Sequence, residues 1–198
     1  GNVGYWASHF MKELGAELIA VQDASGTIHN ENGIDVEALF DYTQGNKGAV
    51  AGFHGASRYE GNDFFAFDCD IIIPAALGNQ ITAENAGSIK AKLIAEGANG
   101  PTDTEGEAIL LEKGVQVIPD ILCNSGGVIG SYYEWLQNKR SENWKIEDVL
   151  HLIEDKISIS FNKTTEMANQ YKTDWRTGAY MVALKRIEQT YKERGVFP

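Results

Sequence analysis

The chain has 198 residues, 43% apolar and 23% charged, the balance of a globular protein with a real core rather than a disordered one. Seventeen basic against 28 acidic residues give a net charge of −11, which speaks against a nucleic acid held on a basic surface. The longest apolar run, Ile71 to Leu77, is seven residues, far short of the roughly 20 that span a bilayer.

In chain order, Val3, Ala7, Phe10, Met11 and Leu14 fall at the spacing of a half-buried helix, with Gly15 as its stop. Glu17–Gln22 reads as a short buried strand. Asp23–Gly26 and Asn30–Gly33 have turn compositions. Asp35 caps a helix carrying Val36, Leu39 and Phe40, and residues 45–62 read as irregular. Strands are expected at Cys69–Pro74, Lys92–Glu96 and Val115–Pro119. Thr82 opens a short helix, and another runs from Thr104 to Lys113, closed by Gly114. Short apolar strands alternating with helices predict an α/β fold, with a mostly parallel, doubly wound sheet covered on both faces.

From Ile146 the pattern is helical only. Ile146, Leu150, Ile153, Ile157, Phe161, Thr164, Ala168 and Tyr171 make one stripe, and a second helix runs from about Thr177 to Arg194 with Tyr180, Leu184, Ile187 and Tyr191 inward. Asn138–Trp144, polar and charged, is the best linker, though two helices alone bury too little for a separate domain. The opening Gly1-Asn2-Val3-Gly4 has no initiator Met and no strand before it, so the chain reads as a piece of a longer polypeptide that lacks its first strand.

Those four residues match the second half of a G-x-G-x-x-G fingerprint and make the sheet Rossmann-like. Gly1 lets the backbone approach a pyrophosphate, Gly4 permits close helix–strand packing, and the helix N-terminus favours an anion by about 0.3–1 kcal/mol. Half a fingerprint is also what an ordinary glycine loop before a helix looks like. Asp23 ends the next strand, where an acidic group accepts hydrogen bonds from a ribose diol; it equally suits an Asx-turn before Gly26. No Lys or Arg occurs between Lys12 and Lys47 to receive a 2′-phosphate, which favours NAD over NADP.

Pro74-Ala75-Ala76, Gly97-Ala98-Asn99-Gly100 and Asn124-Ser125-Gly126-Gly127 each follow a strand, and ligands of open parallel sheets bind beyond such ends. The three loops are therefore expected to converge on one crevice, with small residues leaving room for a flat ring and Asn99 and Asn124 offering amides. His9, His29, His54 and His151 lack metal-ligand spacing, so no metal is expected. Cys69 and Cys123 suit a reducing compartment, and a cytoplasmic location is expected.

Asp70–Ala76, Ala91–Thr102, and Asn124–Val128 with Ser131-Tyr132-Tyr133-Glu134-Trp135 resemble the glutamate dehydrogenase branch of the Glu/Leu/Phe/Val dehydrogenase family. Arg176-Thr177-Gly178-Ala179-Tyr180 and the ending Arg194–Pro198 fit as well. The resemblance covers essentially the whole chain and corresponds to that family's C-terminal coenzyme-binding domain, with a core over 1–140 and helices over 146–198.

By matching position the resemblance implies that Gly1, Asn2, Val3 and Gly4 lie on the pyrophosphate and Asp23 at the adenosine ribose. Ala75, Ala76 and Asn99 would line the nicotinamide end, and Asn124 would contact the carboxamide or nearby substrate. Val128 and Ser131 would face the substrate side chain, where a buried, unpaired hydroxyl at 131 would penalise an aliphatic group by about 1–3 kcal/mol. The implied reaction is reversible NAD(P)-dependent oxidative deamination of L-glutamate to 2-oxoglutarate and ammonia in a homohexamer. The family's catalytic Lys and Asp belong to its N-terminal domain, so no catalytic residue is expected in this chain and no turnover from it alone. Ser125 and Gly130 depart from the family's usual Ala and Val. A leucine- or phenylalanine-type dehydrogenase, or a non-catalytic nucleotide-binding module, are the competing readings.

Overall fold

Helix α1 (Asn2–Glu13) buries none of its side chains fully. Tyr5 stacks on Phe40 with ring centroids 3.9 Å apart, while Val3, Trp6, Phe10 and Leu14 are exposed. Of the stripe expected here, Ala7 and Met11 are half-buried while Val3, Phe10 and Leu14 are exposed. Gly15, at φ +90°, ends the helix as its lack of a Cβ allows. The computed structural model describes residues 1–61 and 64–195, so Val196–Pro198, part of the family-like ending, lie outside the described residues.

Strands β1 (Ala20–Asp23) and β2 (Gly26–His29) form a hairpin in which Asp23 pairs with Gly26 across the two-residue loop Ala24-Ser25. β3 (Ser57–Arg58) adds antiparallel to β2. The sequence pattern marks the turn but not β2 or β3, and strands joined by two residues must run antiparallel. The parallel arrangement expected for the whole sheet therefore belongs to the second sheet alone, where β4 (Ile71–Ile72) pairs with β5 (Leu93–Ala95). β4 is shorter than Cys69–Pro74 because Pro74, which has no N–H to donate, opens the following loop. The Gln116 N–H, at the start of β6 (Gln116–Ile118), donates to the Lys92 carbonyl at 2.9 Å.

Helix α2 (Val36–Gly45) begins where Asp35 accepts from the Ala38 N–H at 2.9 Å. α3 (Thr104–Glu112) is capped in the same way by Asp103 on the Gly106 N–H. The short helix expected at Thr82 is a single 3₁₀ turn, Ala86–Ser88, braced by the Asn85 side chain accepting from the Thr82 N–H at 2.9 Å. Ile28, Ile34, Leu39, Val50 and Phe53 form one buried cluster. Ile81, Ile89, Ile94 and Leu110 are fully buried too.

The chain divides into two compact units, Gly1–Gln116 and Val117–Pro198. The second unit is helical: α4 (Asp120–Cys123), α5 (Gly126–Arg140), α6 (Ile146–Tyr171) and α7 (Trp175–Arg194). α7 starts two residues earlier than expected because Asp174 caps it on the Thr177 N–H at 2.7 Å. α6 and α7 press together at Gly178, where a Cβ would lie 2.8 Å from the Thr164 carbonyl oxygen and 3.1 Å from the Ala168 Cβ.

Thr164, Ala168 and Ala179 are buried at that crossing, and Leu122 and Tyr133 elsewhere in the unit. Tyr180, Leu184, Ile187 and Tyr191, expected inward, are exposed, as are Ile146, Leu150 and Tyr171. Their spacing marks an apolar face, but within this unit α7 meets α6 along its Gly178-Ala179 side. Leu184 and Tyr191 instead line an open groove of about 830 Å³ with Met167 and Met181. Among the described residues no helix is long and apolar enough to cross a membrane.

Candidate functional site

α1 opens on Gly1, whose carbonyl accepts the first helical bond from the Tyr5 N–H at 3.0 Å. No side chain caps this end and no acidic residue lies in its first turn. The N–H groups and the positive dipole end of the helix favour an anion at this position. A Cβ on Gly4 meets nothing within 4 Å among the described residues.

A close approach is made at Gly97. A Cβ there would lie 3.2 Å from Val3 Cγ1, 3.4 Å from the Ala75 Cβ and 3.5 Å from the Pro74 carbonyl oxygen. The loop after β4 and the loop after β5 run side by side: the Ala98 N–H donates to Pro74 O at 2.9 Å, and the Asn79 N–H to Gly100 O at 2.8 Å. The structure thus brings together Val3, Ala75 and Gly97, at the opening of α1 and the carboxyl ends of two parallel strands. Ala76 and Asn99 lie exposed in the same two loops. This cradle of backbone N–H groups and small side chains fits the pyrophosphate and flat ring of a dinucleotide.

Asp23 takes the turn geometry. One carboxylate oxygen accepts from the Ser25 N–H at 2.7 Å and from the Ser25 hydroxyl; the other accepts from the Val50 N–H at 3.0 Å. A carboxylate has about four lone-pair sites, so three such bonds leave it able to accept from a diol as well.

In the second unit, α4 is followed by Asn124, whose N–H donates to the Asp120 carbonyl at 3.1 Å. Ser125 donates its hydroxyl to Leu122 O at 2.7 Å and leads into α5. Val128 and Ser131, three residues apart, share one helical face, and Val128 is 76% exposed. Ser131 is exposed too, and its hydroxyl donates to the Gly127 carbonyl at 2.8 Å. Within this chain the hydroxyl is therefore neither buried nor unpaired. Glu96, to which the sequence assigns no role beyond ending a strand, is fully buried beside Gly97. The visible signal was an acidic residue ending the apolar strand Leu93-Ile94-Ala95.

Burial, with Asp68 and Asp70 alongside, pushes the Cys69 thiol up, away from nucleophile chemistry. Among the described residues no group of three His, Cys, Asp or Glu side chains is placed to hold a metal.

The family model for the Glutamate/Leucine/Phenylalanine/Valine dehydrogenases matches residues 1–195. A glutamate dehydrogenase of Thermotoga maritima is 41% identical over the whole chain, which covers 48% of that protein. An NAD-specific glutamate dehydrogenase of Staphylococcus aureus is 37% identical over 98% of this chain and 47% of its own length. The chain also matches a crystal structure of a hetero-hexameric glutamate dehydrogenase from Thermus thermophilus in a leucine-bound form. There the TM-score is 0.88 at 27% identity, covering 100% of this chain and 46% of that one. The chain spans about half the length of the relatives it matches. With a family match along nearly its full length, and with the loops after two parallel strands meeting at a glycine-opened helix, this chain belongs to the Glutamate/Leucine/Phenylalanine/Valine dehydrogenase family.

Proposed function

We propose that this chain is the coenzyme-binding part of an amino-acid dehydrogenase that reversibly deaminates L-glutamate to 2-oxoglutarate and ammonia. The observation that carries the reading is the meeting of Val3, Ala75 and Gly97, which sets an uncapped helix N-terminus against the loops after β4 and β5. The N–H groups of Gly1, Asn2, Val3 and Gly4 hold the pyrophosphate. Asp23 accepts from the ribose, and Ala75, Ala76 and Asn99 flank the nicotinamide. Asn124 orients its carboxamide or the substrate, and Val128 and Ser131 meet the substrate side chain. Bound NAD supplies the hydride acceptor. The chain's own part is to bind and orient that ring, which lowers the barrier through alignment. No residue here is assigned proton transfer, so the chain by itself is expected to show no turnover with glutamate and NAD.

NAD as the preferred coenzyme is supported by the NAD-specific relative and by the charge at Asp23, which repels a 2′-phosphate. The test is titration of the complete protein with both coenzymes, alongside Asp23→Asn. The amide keeps an acceptor for Ser25 while losing the charge. The parent is expected to bind NAD at least about 10-fold tighter than NADP, a difference of ~1.4 kcal/mol, and the variant to narrow that gap. Equal affinities in the parent would overturn the preference.

A second reading, a branched-chain or aromatic amino-acid dehydrogenase, is favoured by one observation: Ser131 already spends its proton on Gly127. Relative kcat/KM on glutamate and leucine decides between them. The hetero-hexameric relative supports a hexamer for the complete protein, which native mass measurement checks. That neither Cys69 nor Cys123 is in a disulfide supports a cytoplasmic setting.

A further inference from the structure

We infer that Arg176 is a positioning residue for Asn124, acting through Asp120; the inference rests on the coenzyme or substrate role proposed for Asn124.

Helix α4 is a single turn of four residues, too short to hold itself, since helix nucleation is unfavourable until several turns add bonds. Its geometry must be imposed from outside. Asp120, its first residue, accepts on Oδ1 from its neighbour's Ile121 N–H at 2.7 Å and from Arg176 Nη1 at 3.1 Å. The two side chains are 20% and 19% exposed, so the pair is largely withdrawn from solvent. The carbonyl of the same Asp120 accepts from the Asn124 N–H at 3.1 Å. Two bonds therefore connect the guanidinium to the backbone of Asn124. The Leu122 and Cys123 N–H groups, both on Pro119 O, close the turn between them.

Arg176 is itself fixed on either side. Asp174 caps α7 on both the N–H and the hydroxyl of Thr177, at 2.7 and 2.8 Å. Two residues past Arg176, Gly178 sits against Thr164 and Ala168 at the crossing with α6. The longest helix of the unit thus sets the first turn of α7, and that turn sets α4 and the residue after it. Because Ser125 then leads into α5, the same tie bears on Val128 and Ser131. The planar fork of an arginine gives this tie a direction that a lysine keeps only in part.

The alternative is an ion pair that contributes only to stability. The test uses the complete protein with Arg176→Met, Arg176→Lys, Asp120→Asn and Asn124→Ala, reading kcat and KM for glutamate, affinity for ADP-ribose, and melting temperature. ADP-ribose reports on Gly1–Gly4 and Asp23 without the nicotinamide. Arg176→Met is expected to lower kcat on the order of 100-fold, since a small misplacement far from the chemistry can cost that much. ADP-ribose affinity should stay within about twofold, as for uncoupled sites. Asp120→Asn should fall in the same direction, and Arg176→Lys should recover much of the loss. If Arg176→Met does not fold, Asp120→Asn against Arg176→Lys gives the same reading. The inference is overturned if kcat stays within about threefold of the parent while Asn124→Ala is impaired. It is also overturned if catalysis and ADP-ribose binding fall together with melting temperature. An unimpaired Asn124→Ala would sink the role proposed for Asn124, and this inference with it.

Discussion

At Gly97 an added methyl group would press on Val3 and Ala75, while Asn124 sits at the end of a one-turn helix tied down through Asp120 to Arg176. Around Gly97 the residues proposed for the coenzyme are small and offer backbone, whereas Asn124 is proposed to act through a side chain whose backbone is held from a distance. A backbone cradle tolerates changes of side-chain chemistry but not of volume. A side-chain site tolerates modest volume changes but depends on remote ties.

The largest expected effect tests the first half of that contrast. Gly97→Val forces Val3 and the start of α1 away from the β4 and β5 loops, an overpacking that costs typically about 1–3 kcal/mol. Expressed in coenzyme binding this is roughly 5–150-fold, read by calorimetric titration of the complete protein. Affinity equal to the parent would mean the coenzyme does not use this cradle.

Next comes Gly178→Ala, where the new Cβ would stand 2.8 Å from the Thr164 carbonyl, a backbone atom that cannot turn aside. Its cost should appear as stability, again about 1–3 kcal/mol, measured as a shift in denaturant midpoint. An unchanged midpoint would remove the crossing of α6 and α7 as the anchor of the second unit.

The smallest effect belongs to a tie of the exposed kind. The Lys12 ammonium, with His9 also bonded, holds the Glu37 carboxyl down from 4.5 to about 2. A carboxyl depressed on folding stabilises the protein above its ordinary range and loses that contribution as pH falls. The melting-temperature difference between the parent and Glu37→Gln should therefore be present at neutral pH, shrink below about 4.5 and vanish near 2. Being exposed, it should also fade with added salt. A difference that grew on acidification would reverse the assignment.

Much of the fold was legible where local chemistry decides it. Gly15 ends α1, Asp35 caps α2, and the stripe from Ile146 to Tyr171 runs the full length of α6. β2 and β3 were not, because Thr27-Ile28-His29 is too short between turn signals to show a period. The exposure of Leu184 and Ile187 was illegible for another reason: spacing defines a face without saying what covers it. In the candidate site, Ala75 and Gly97–Gly100 stood out because each follows a strand; the expected third loop does not, since the one-turn helix α4 precedes Asn124 and Gly126-Gly127 already belong to α5. Gly97 could be seen as a loop glycine, but its contact with Val3, 94 positions away in sequence numbering, could not. The Asp120–Arg176 pair, 56 residues apart, is likewise a product of the tertiary structure.

The undecorated opening of α1 has a consequence for how a ligand is told from its competitors. The N–H groups that open a helix answer to negative charge, and that is common to every nucleotide diphosphate. Under the function proposed above, discrimination falls to the side chains assigned to the rest of the coenzyme, the acid at the hairpin tip foremost among them. Redesign for a different carrier should leave the phosphate cradle alone and rewrite those side chains.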